Sequence, residues 1–155
     1  MASWKFEGLD EYLRQLESLE GSSHDAIGKA IYHGAAIVAD ACKREIDALP
    51  VNNQYRSGGI TSVQKAGLRE GFGITHEKED GFYRHVKLGF DGYNKQHTKK
   101  YPKGQPNSVI ARSLNSGSTW RKKNPFIDRA TRSSKADCEG KMAEIIDSEI
   151  KKVMI

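Results

Sequence analysis

The strongest strand signal in this chain lies in residues 71–90, which read GFGITHEKEDGFYRHVKLGF. Apolar residues fill alternate positions from Val86 to Phe90, and the positions between them are polar or small. A period of two is typical of half-buried strands, because successive side chains point to opposite faces of a sheet. The dipeptide Asp80-Gly81 is typical of a tight hairpin turn. The stretch therefore predicts a small antiparallel sheet with a hairpin near residues 71–90.

Two helices are predicted before this sheet. Leucines recur at helical spacing in residues 9–19, which places them on one face of an amphipathic helix. Gly21 is expected to end this helix, and Ser22 offers an N-cap for the next one.

The second helix is expected over residues 24–48, with apolar residues on a wide arc. The small residues Gly34 and Ala35 near its middle would let another element approach closely. Pro50 is expected to stop this helix, because a proline ring cannot be accommodated in a helix interior.

The later segments alternate between loop and helix chemistry. Residues 51–59 are polar and glycine-containing, which predicts a loop, and residues 61–69 predict a short helix. Residues 108–114 fit either a helical turn or an edge strand. From residue 125 onward the composition is helical, but the apolar positions drift around the axis. This predicts either a short helix at 126–134 followed by a longer one, or a single helix that is kinked or changes partners.

Phe126 is expected to anchor the start of the C-terminal helix in the core. Pro125 suits the first helical turn, and Asn124 could cap it. A buried aromatic ring at this position would fix the helix against the sheet.

Length and composition favour a single domain. The chain has 155 residues, of which 37% are hydrophobic, and we expect one domain over residues 1–155. This apolar content is low for a globular protein that folds alone, and it fits a subunit that buries further surface in an assembly. No run of 18 apolar residues exists, so no membrane-spanning helix is expected. The N-terminus shows no secretory signal, and two cysteines without a CxxC motif favour a reduced, cytosolically made protein.

Charge is segregated along the chain. The net charge is +5, yet residues 93–135 carry eleven Lys/Arg against a single acidic residue. Within this region, residues 91–107 contain two glycines, two prolines and four lysines, which predicts an exposed mobile loop. Such asymmetry indicates a basic side that faces a polyanion or an acidic neighbour. The alternative is a solvated loop that keeps the protein soluble.

Motifs for catalysis or cofactor binding are absent from the sequence. The five histidines show no HExxH or HxE spacing, and the glycines form neither a dinucleotide fingerprint nor a P-loop. No GxSxG motif appears. We therefore expect no catalytic, metal or cofactor site, and we interpret Cys42 and Cys138 as small buried thiols. A basic nuclease would require His85 and His97 to converge with nearby cations.

Among the possible binding functions, nucleic-acid binding is supported by the most sequence features. Two segments place aromatic rings beside cations, as surfaces that stack bases and contact phosphates do. They are Lys99-Lys100-Tyr101 and Trp120-Arg121-Lys122-Lys123. No helix-turn-helix, RNP or KH signature accompanies them, so contact is expected with backbone charge and without sequence readout. The expected basic surface comprises Lys95, Lys99, Lys100, Lys103, Arg121, Lys122 and Lys123.

Several segments together resemble a known family. They are Phe6–Leu13, the alanine-rich helix ending at Leu49-Pro50, Val86–Phe90, Ala111–Ser118 and Asn124–Ala130. Their succession is similar to the gene-product-ten-like family of long-tailed bacteriophages, the tail-completion or head–tail joining proteins of the virion neck. The motif positions that carry the resemblance are Leu114, Gly117, Pro125, Phe126 and Arg129. The sequence departs from the family pattern at Asn115, Ser116 and Ala130.

The resemblance implies an α+β fold and a structural role. The expected architecture has two N-terminal helices, a small antiparallel sheet, a long basic loop and a C-terminal helix packed on the sheet. The implied protein is a non-enzymatic virion component, made in the bacterial host cytoplasm, that forms a homo-oligomeric ring, with six the expected number of subunits, around the DNA channel. Its implied partners are tail-tube and head-completion proteins and, without sequence specificity, packaged DNA. The alternative from another class is a small basic nucleic-acid-binding protein.

Overall fold

The computed structural model describes residues 9–54, 57–76, 78–80 and 83–153 and has an α+β fold. Within these residues two helices come first, four short strands follow, and two helices complete the order, of which the first and the last helix are long. The helices are α1 (Leu9–Asp47), α2 (Ser62–Gly71), α3 (Asn107–Ser116) and α4 (Phe126–Val153). The strands are β1 (Phe72–Ile74), β2 (Lys78–Asp80), β3 (Tyr83–His85) and β4 (Leu88–Phe90).

The N-terminal region forms one helix and not the two that the sequence predicted. α1 runs without interruption through Gly21, so the predicted helix end there and the N-cap at Ser22 are wrong. A glycine in a helix interior costs only about 1 kcal/mol relative to alanine, which a long packed helix tolerates. Next to the predicted cap, the Ser23 hydroxyl donates to the Glu20 carbonyl at 2.8 Å, within the same helix.

α1 and α4 pack against each other as an antiparallel pair. Small buried residues, Ala26, Ala30 and Gly34, recur every four positions on α1 and let α4 approach closely. A Cβ atom at Gly34 would lie 2.8 Å from Met142 Cγ, which confirms the close approach predicted at this position.

The prediction that the C-terminal helix packs on the sheet is wrong for most of its length. Past its first turn the partner of α4 is α1. The first turn alone fits the prediction, since the Phe126 ring lies 6.1 Å from the Phe90 ring of β4. The strands have only three residues each, so they offer too little surface for a helix of 28 residues. The helix is continuous through Gly140, so of the two alternatives for this region the structure shows a single helix.

The predicted hairpin over residues 71–90 is confirmed, but it divides into two sheets. β1 pairs with β4 in antiparallel register, Phe72 opposite Phe90, and β2 pairs with β3, Lys78 opposite His85. Where the pairing of β1 and β4 ends, the Thr75 N–H still donates to the Lys87 carbonyl at 2.8 Å, but the Lys87 N–H donates to the Thr75 hydroxyl at 2.9 Å. The turn predicted at Asp80-Gly81 falls partly on residues 81–82, which lie outside the described residues.

The main core lies where α1 ends and α4 begins. Phe126 is fully buried there, as predicted, and it packs with aliphatic residues from α1, α2, α3 and the loop between α1 and α2. These residues are Ile46, Leu49, Ile60, Leu68, Ile110, Ala111 and Leu114. A smaller cluster of Ala41, Cys42 and Ala130 continues between α1 and α4.

The two short helices, α2 and α3, lie before and after the segment that contains the strands and the predicted basic loop. The helix predicted at 61–69 is confirmed as α2, which begins with a capping box between Thr61 and Gln64. Residues 108–114, left open between helix and strand, belong to α3. The predicted exposed loop extends one residue too far, because Asn107 starts α3 and is only 2% exposed. Within the described part of the chain, no helix is both long and apolar enough to span a bilayer.

Candidate basic interaction surface

Residues 93–106, here called the basic arm, form a hairpin-like excursion. Its base closes through a bridge between Tyr93 and Pro106 and a 2.9 Å hydrogen bond from the Asn94 N–H to the Gln105 carbonyl. At its tip the Tyr101 N–H donates to the Thr98 carbonyl at 3.1 Å. This closes a four-residue turn whose two central residues are lysines.

Asn94 organises the base of the basic arm. It is 3% exposed, and its side-chain oxygen accepts the N–H groups of Gln96 at 2.9 Å and Gln105 at 3.3 Å. Gly67 of α2 makes room for it, since a Cβ atom there would lie 2.5 Å from Asn94 Cβ. Gly104 has a φ of 111°, a left-handed conformation that favours glycine. The arm is thus anchored by hydrogen bonds rather than by apolar side chains.

The lysines of the basic arm point into solvent. Lys95, Lys99, Lys100 and Lys103 are all exposed. Lys99 and Lys100 occupy the tip, and the Lys100 ammonium lies 5.5 Å from the centre of the Tyr101 ring. The predicted mobility of this loop stays a prediction.

The second basic segment, residues 117–123, turns back on itself. The Ser118 N–H donates to the Arg121 carbonyl at 3.0 Å, and the Arg121 N–H donates to the Ser118 carbonyl at 3.3 Å. Trp120 lies at the tip of this turn and is 81% exposed. Gly117 enters the turn with a φ of 78°, and a Cβ atom there would lie 3.0 Å from Lys123 Cβ.

Arg121 is the one half-buried cation of the predicted basic surface. Its Nη1 donates to the Gly59 carbonyl at 3.1 Å, which fixes the guanidinium against the loop after α1. Burial lowers the pKa of Arg121, because a charged group is less stable out of water. No carboxylate of the described residues lies within ion-pair distance of it.

The structure brings the base of the basic arm and the second basic segment to one polar cavity of about 330 Å³, here called the amide cleft. Two side-chain bonds hold the arm in place, from Thr61 Oγ1 to Gln96 Oε1 at 2.6 Å and from Gln64 Nε2 to Gln105 Oε1 at 2.8 Å. The cleft contains no carboxylate among its described lining residues. These are Asn52, Asn53, Gln54, Ser57, Gly58, Gly59, Thr61, Gln64, Gln96, Gln105, Trp120 and Arg121.

Lys122 and Lys123 lie on a second cavity of about 520 Å³, which is also lined by the loop after α1. Leu114, Pro125 and Arg129 also line it. The predicted basic residues are therefore distributed over three places, namely the basic arm, the amide cleft and this second cavity.

The motif residues of the family resemblance serve the packing of α4. Leu114 and Phe126 lie in the core. Arg129 Nε bonds Glu45 Oε2 at 2.9 Å and its Nη2 bonds Asn124 Oδ1 at 2.7 Å, so its charge is already neutralised.

The N-terminus of α4 is capped by a residue that the sequence reasoning missed. Asn115 Oδ1 accepts the N–H groups of Ile127 at 3.0 Å and Asp128 at 3.4 Å. Asn124, the predicted cap, instead accepts from Arg129. Asn115 reaches the helix from α3, so no local pattern before α4 could have indicated it.

The histidines and cysteines do not assemble into a site among the described residues. His85 lies in β3 opposite Lys78, whereas His97 is in the basic arm, its Nδ1 2.7 Å from the Pro102 carbonyl oxygen. No group of three or more His, Cys, Asp or Glu in the described part of the chain could hold a metal ion. Burial raises the pKa of the Cys42 and Cys138 thiols, which disfavours their reactive thiolate form.

The amide cleft was not predicted, because it is assembled from segments that are far apart in the chain. Sequence inspection identified Trp120 and Arg121 but not their neighbours Gln96 and Gln105. Only the run Asn52-Asn53-Gln54 offered a local signal of an amide-rich surface. In comparisons with known proteins, no family model, no curated protein and no solved structure matches this chain.

Proposed function

We propose that this chain is a structural protein of the bacteriophage neck, a head–tail connector or tail-completion protein that assembles as a ring around the DNA channel. The observation that carries the proposal is a pair of exposed apolar residues on one face of α1, Leu16 and Ile27, here called the stripe, which a single subunit leaves uncovered. The proposal also draws on the family resemblance of the sequence.

The exposure of Leu16 follows from the antiparallel register of α1 and α4. Lys29 Nζ of α1 bonds Glu149 Oε2 of α4 at 3.2 Å. α4 ends about one turn later, at Val153, so the turns of α1 before about residue 22 extend beyond it. Leu16 and Ile27 are separated by about three turns and therefore share a face. Each is 42% exposed.

An extended amphipathic helix of this kind is suited to contact a neighbouring subunit. Helices that bind in this way present apolar residues along one face, and contiguous exposed apolar surface is typical of protein interfaces. Charge is segregated along the sequence, and in a ring the exposed lysines of the basic arm would face DNA or an acidic neighbour. Like charges crowded in this way repel one another, so a ring is favoured once a partner or polyanion is present.

The assembly test compares two double variants. Leu16→Ser with Ile27→Ser removes the stripe, and Val63→Ser with Val109→Ser removes two apolar residues that are 40% and 43% exposed elsewhere. Native mass spectrometry at low and high salt, and negative-stain imaging with tail tubes encoded by a neighbouring gene, report assembly. We expect rings or capped tubes with the wild type and the control pair but not with the stripe variant.

Two results would contradict this proposal. One is a wild-type chain that stays monomeric at every salt concentration and leaves tail tubes uncapped. The other is a stripe variant that assembles as the wild type does, since the uncovered face would then have no role in assembly.

A second candidate function, non-sequence-specific nucleic-acid binding, is favoured by the exposed Trp120 beside three cations. Binding to duplex DNA should be weak and linear in log salt, with a slope of about −0.9 per phosphate neutralised. Replacing Lys99, Lys100, Arg121, Lys122 and Lys123 with glutamate should keep the fold and abolish this binding. Retained binding, or complete infectious particles from this variant, would make the basic surface a solubilising one.

A further inference from the structure

We propose that the amide cleft binds one unpaired nucleotide of a single-stranded nucleic acid, with the base stacked on Trp120 and a flanking phosphate at Arg121. This inference rests on the second candidate function and names its ligand. It goes beyond a general attraction between the basic surface and phosphates.

The first argument is the state of Arg121. Its guanidinium carries five N–H donors, of which one is used on the Gly59 carbonyl. The side chain is half buried, yet no carboxylate of the described residues compensates its charge. An uncompensated, partly desolvated cation is costly, and a ligand phosphate would offset that cost with charge-assisted hydrogen bonds.

The second argument is the hydrogen-bonding character of the cleft. The amide oxygens of Gln96 and Gln105 already accept from Thr61 and Gln64. The Asn53 oxygen likewise accepts from the Ser62 N–H at 2.9 Å. The amide NH₂ groups of these three side chains donate to no described residue.

The cleft is therefore rich in donors and poor in free acceptors. Phosphates and the carbonyl groups of thymine or uracil match this pattern, because they are strong acceptors. A ligand bearing carboxylates would satisfy the donors equally but would leave the indole of Trp120 unused.

The third argument is the exposed ring itself. An indole that is 81% exposed offers a face on which a base can stack, and only an unpaired base can present its own face to it. The cavity of about 330 Å³ is at the small end of ligand pockets, which suits one nucleotide and not a duplex.

The test uses the full chain with Trp4→Phe, which leaves Trp120 as its only tryptophan. Oligothymidylate and a duplex of the same length are titrated in turn, and both tryptophan fluorescence and anisotropy of a labelled strand are recorded. We expect quenching by the single strand and tighter binding of it than of the duplex. Because stacking on an aromatic side chain contributes about 1–3 kcal/mol per base, Trp120→Ala should weaken single-strand binding about 5-fold or more.

Two further variants make the test specific. Arg121→Gln should weaken binding of the single strand more than it weakens binding of the duplex. Tyr93→Ala is the matched control, since Tyr93 is an aromatic residue that is 69% exposed beside Lys95 but lies on a different cavity, and it should change neither affinity. Circular dichroism confirms that each variant is folded.

The outcomes separate this inference from the function on which it rests. Binding of both nucleic acids with equal affinity and without quenching would refute nucleotide binding in the amide cleft. The second candidate function, binding through charge alone, would not be affected by that result. No binding of either would refute both. If Trp120→Ala abolished tail-tube capping while single-strand affinity stayed unchanged, the indole would be a protein anchor and the inference would be wrong.

Discussion

Replacing Gly67 with alanine should destabilise the protein, although alanine is the better helix former. Gly67 lies inside α2, where alanine gains about 1 kcal/mol in helix propensity. The added Cβ, however, would lie 2.5 Å from Asn107 Oδ1, 2.5 Å from Asn94 Cβ and 3.2 Å from Asn94 Cα. Ordinary contact distances between such atoms are about 3.5–4.0 Å. Because two of the three atoms belong to a buried residue at the base of the basic arm, the backbone itself must shift.

The magnitude follows from three contributions to the free energy of unfolding. Overpacking a tight site costs about 1–3 kcal/mol. Displacing Asn94 weakens its two bonds to the N–H groups of Gln96 and Gln105, each worth about 1 kcal/mol. After the gain in helix propensity is subtracted, the expected net destabilisation is about 1–4 kcal/mol.

Urea unfolding followed by circular dichroism measures this difference against a matched control. Gly140 also lies inside a helix, α4, but a Cβ atom there meets nothing within 4 Å. Gly140→Ala should therefore stabilise the protein by about 0.5–1 kcal/mol. If both variants were stabilised alike, the close packing of α2 on the arm would be refuted.

Three further changes test the core, the cap and the arm. Phe126→Ala removes a fully buried ring and should cost about 3–5 kcal/mol of unfolding free energy; a loss under about 1 kcal/mol would place the ring outside the core. Asn115→Ala should lower the free energy of unfolding by about 1 kcal/mol because it removes the cap of α4. Asn124→Ala leaves this cap in place and serves as the control. Equal unfolding midpoints for Asn115→Ala and wild type would contradict the capping role of Asn115. Limited trypsin digestion should cut first near Lys99 or Lys103 with the helices protected, and uniform resistance would show that the anchored arm is rigid.

The parts of the fold that could be predicted from sequence are those that local chemistry determines. The alternation before Phe90 marked the hairpin, and Phe126 was recognised as an apolar residue at a helix start. The continuity of α1 through Gly21 could not be predicted, because glycine permits a helix end without requiring one. The structure shows helix on both sides of Gly21, although the serines and the histidine that follow it are weak helix formers.

The element that packs against α4 could not be predicted from local sequence patterns either. Its apolar residues drift around the axis, so no single face pointed to the sheet or to α1. The close approach at Gly34 was predicted, but the element that makes it was not, since a small residue shows only that room exists. Long-range contacts of this kind carry no periodic signature in one sequence.

In the candidate site, one set of side-chain atoms holds the structure together, and other atoms of the same side chains are available for binding. The oxygens of Gln96 and Gln105 hold the basic arm on α2, and their NH₂ groups remain for a ligand. Gly67→Ala disturbs this frame, so it should lower both stability and single-strand affinity. Trp120 supports no buried contact, and its replacement should lower affinity alone. A variant that lost stability but kept full affinity would therefore show that the ligand does not use the amides.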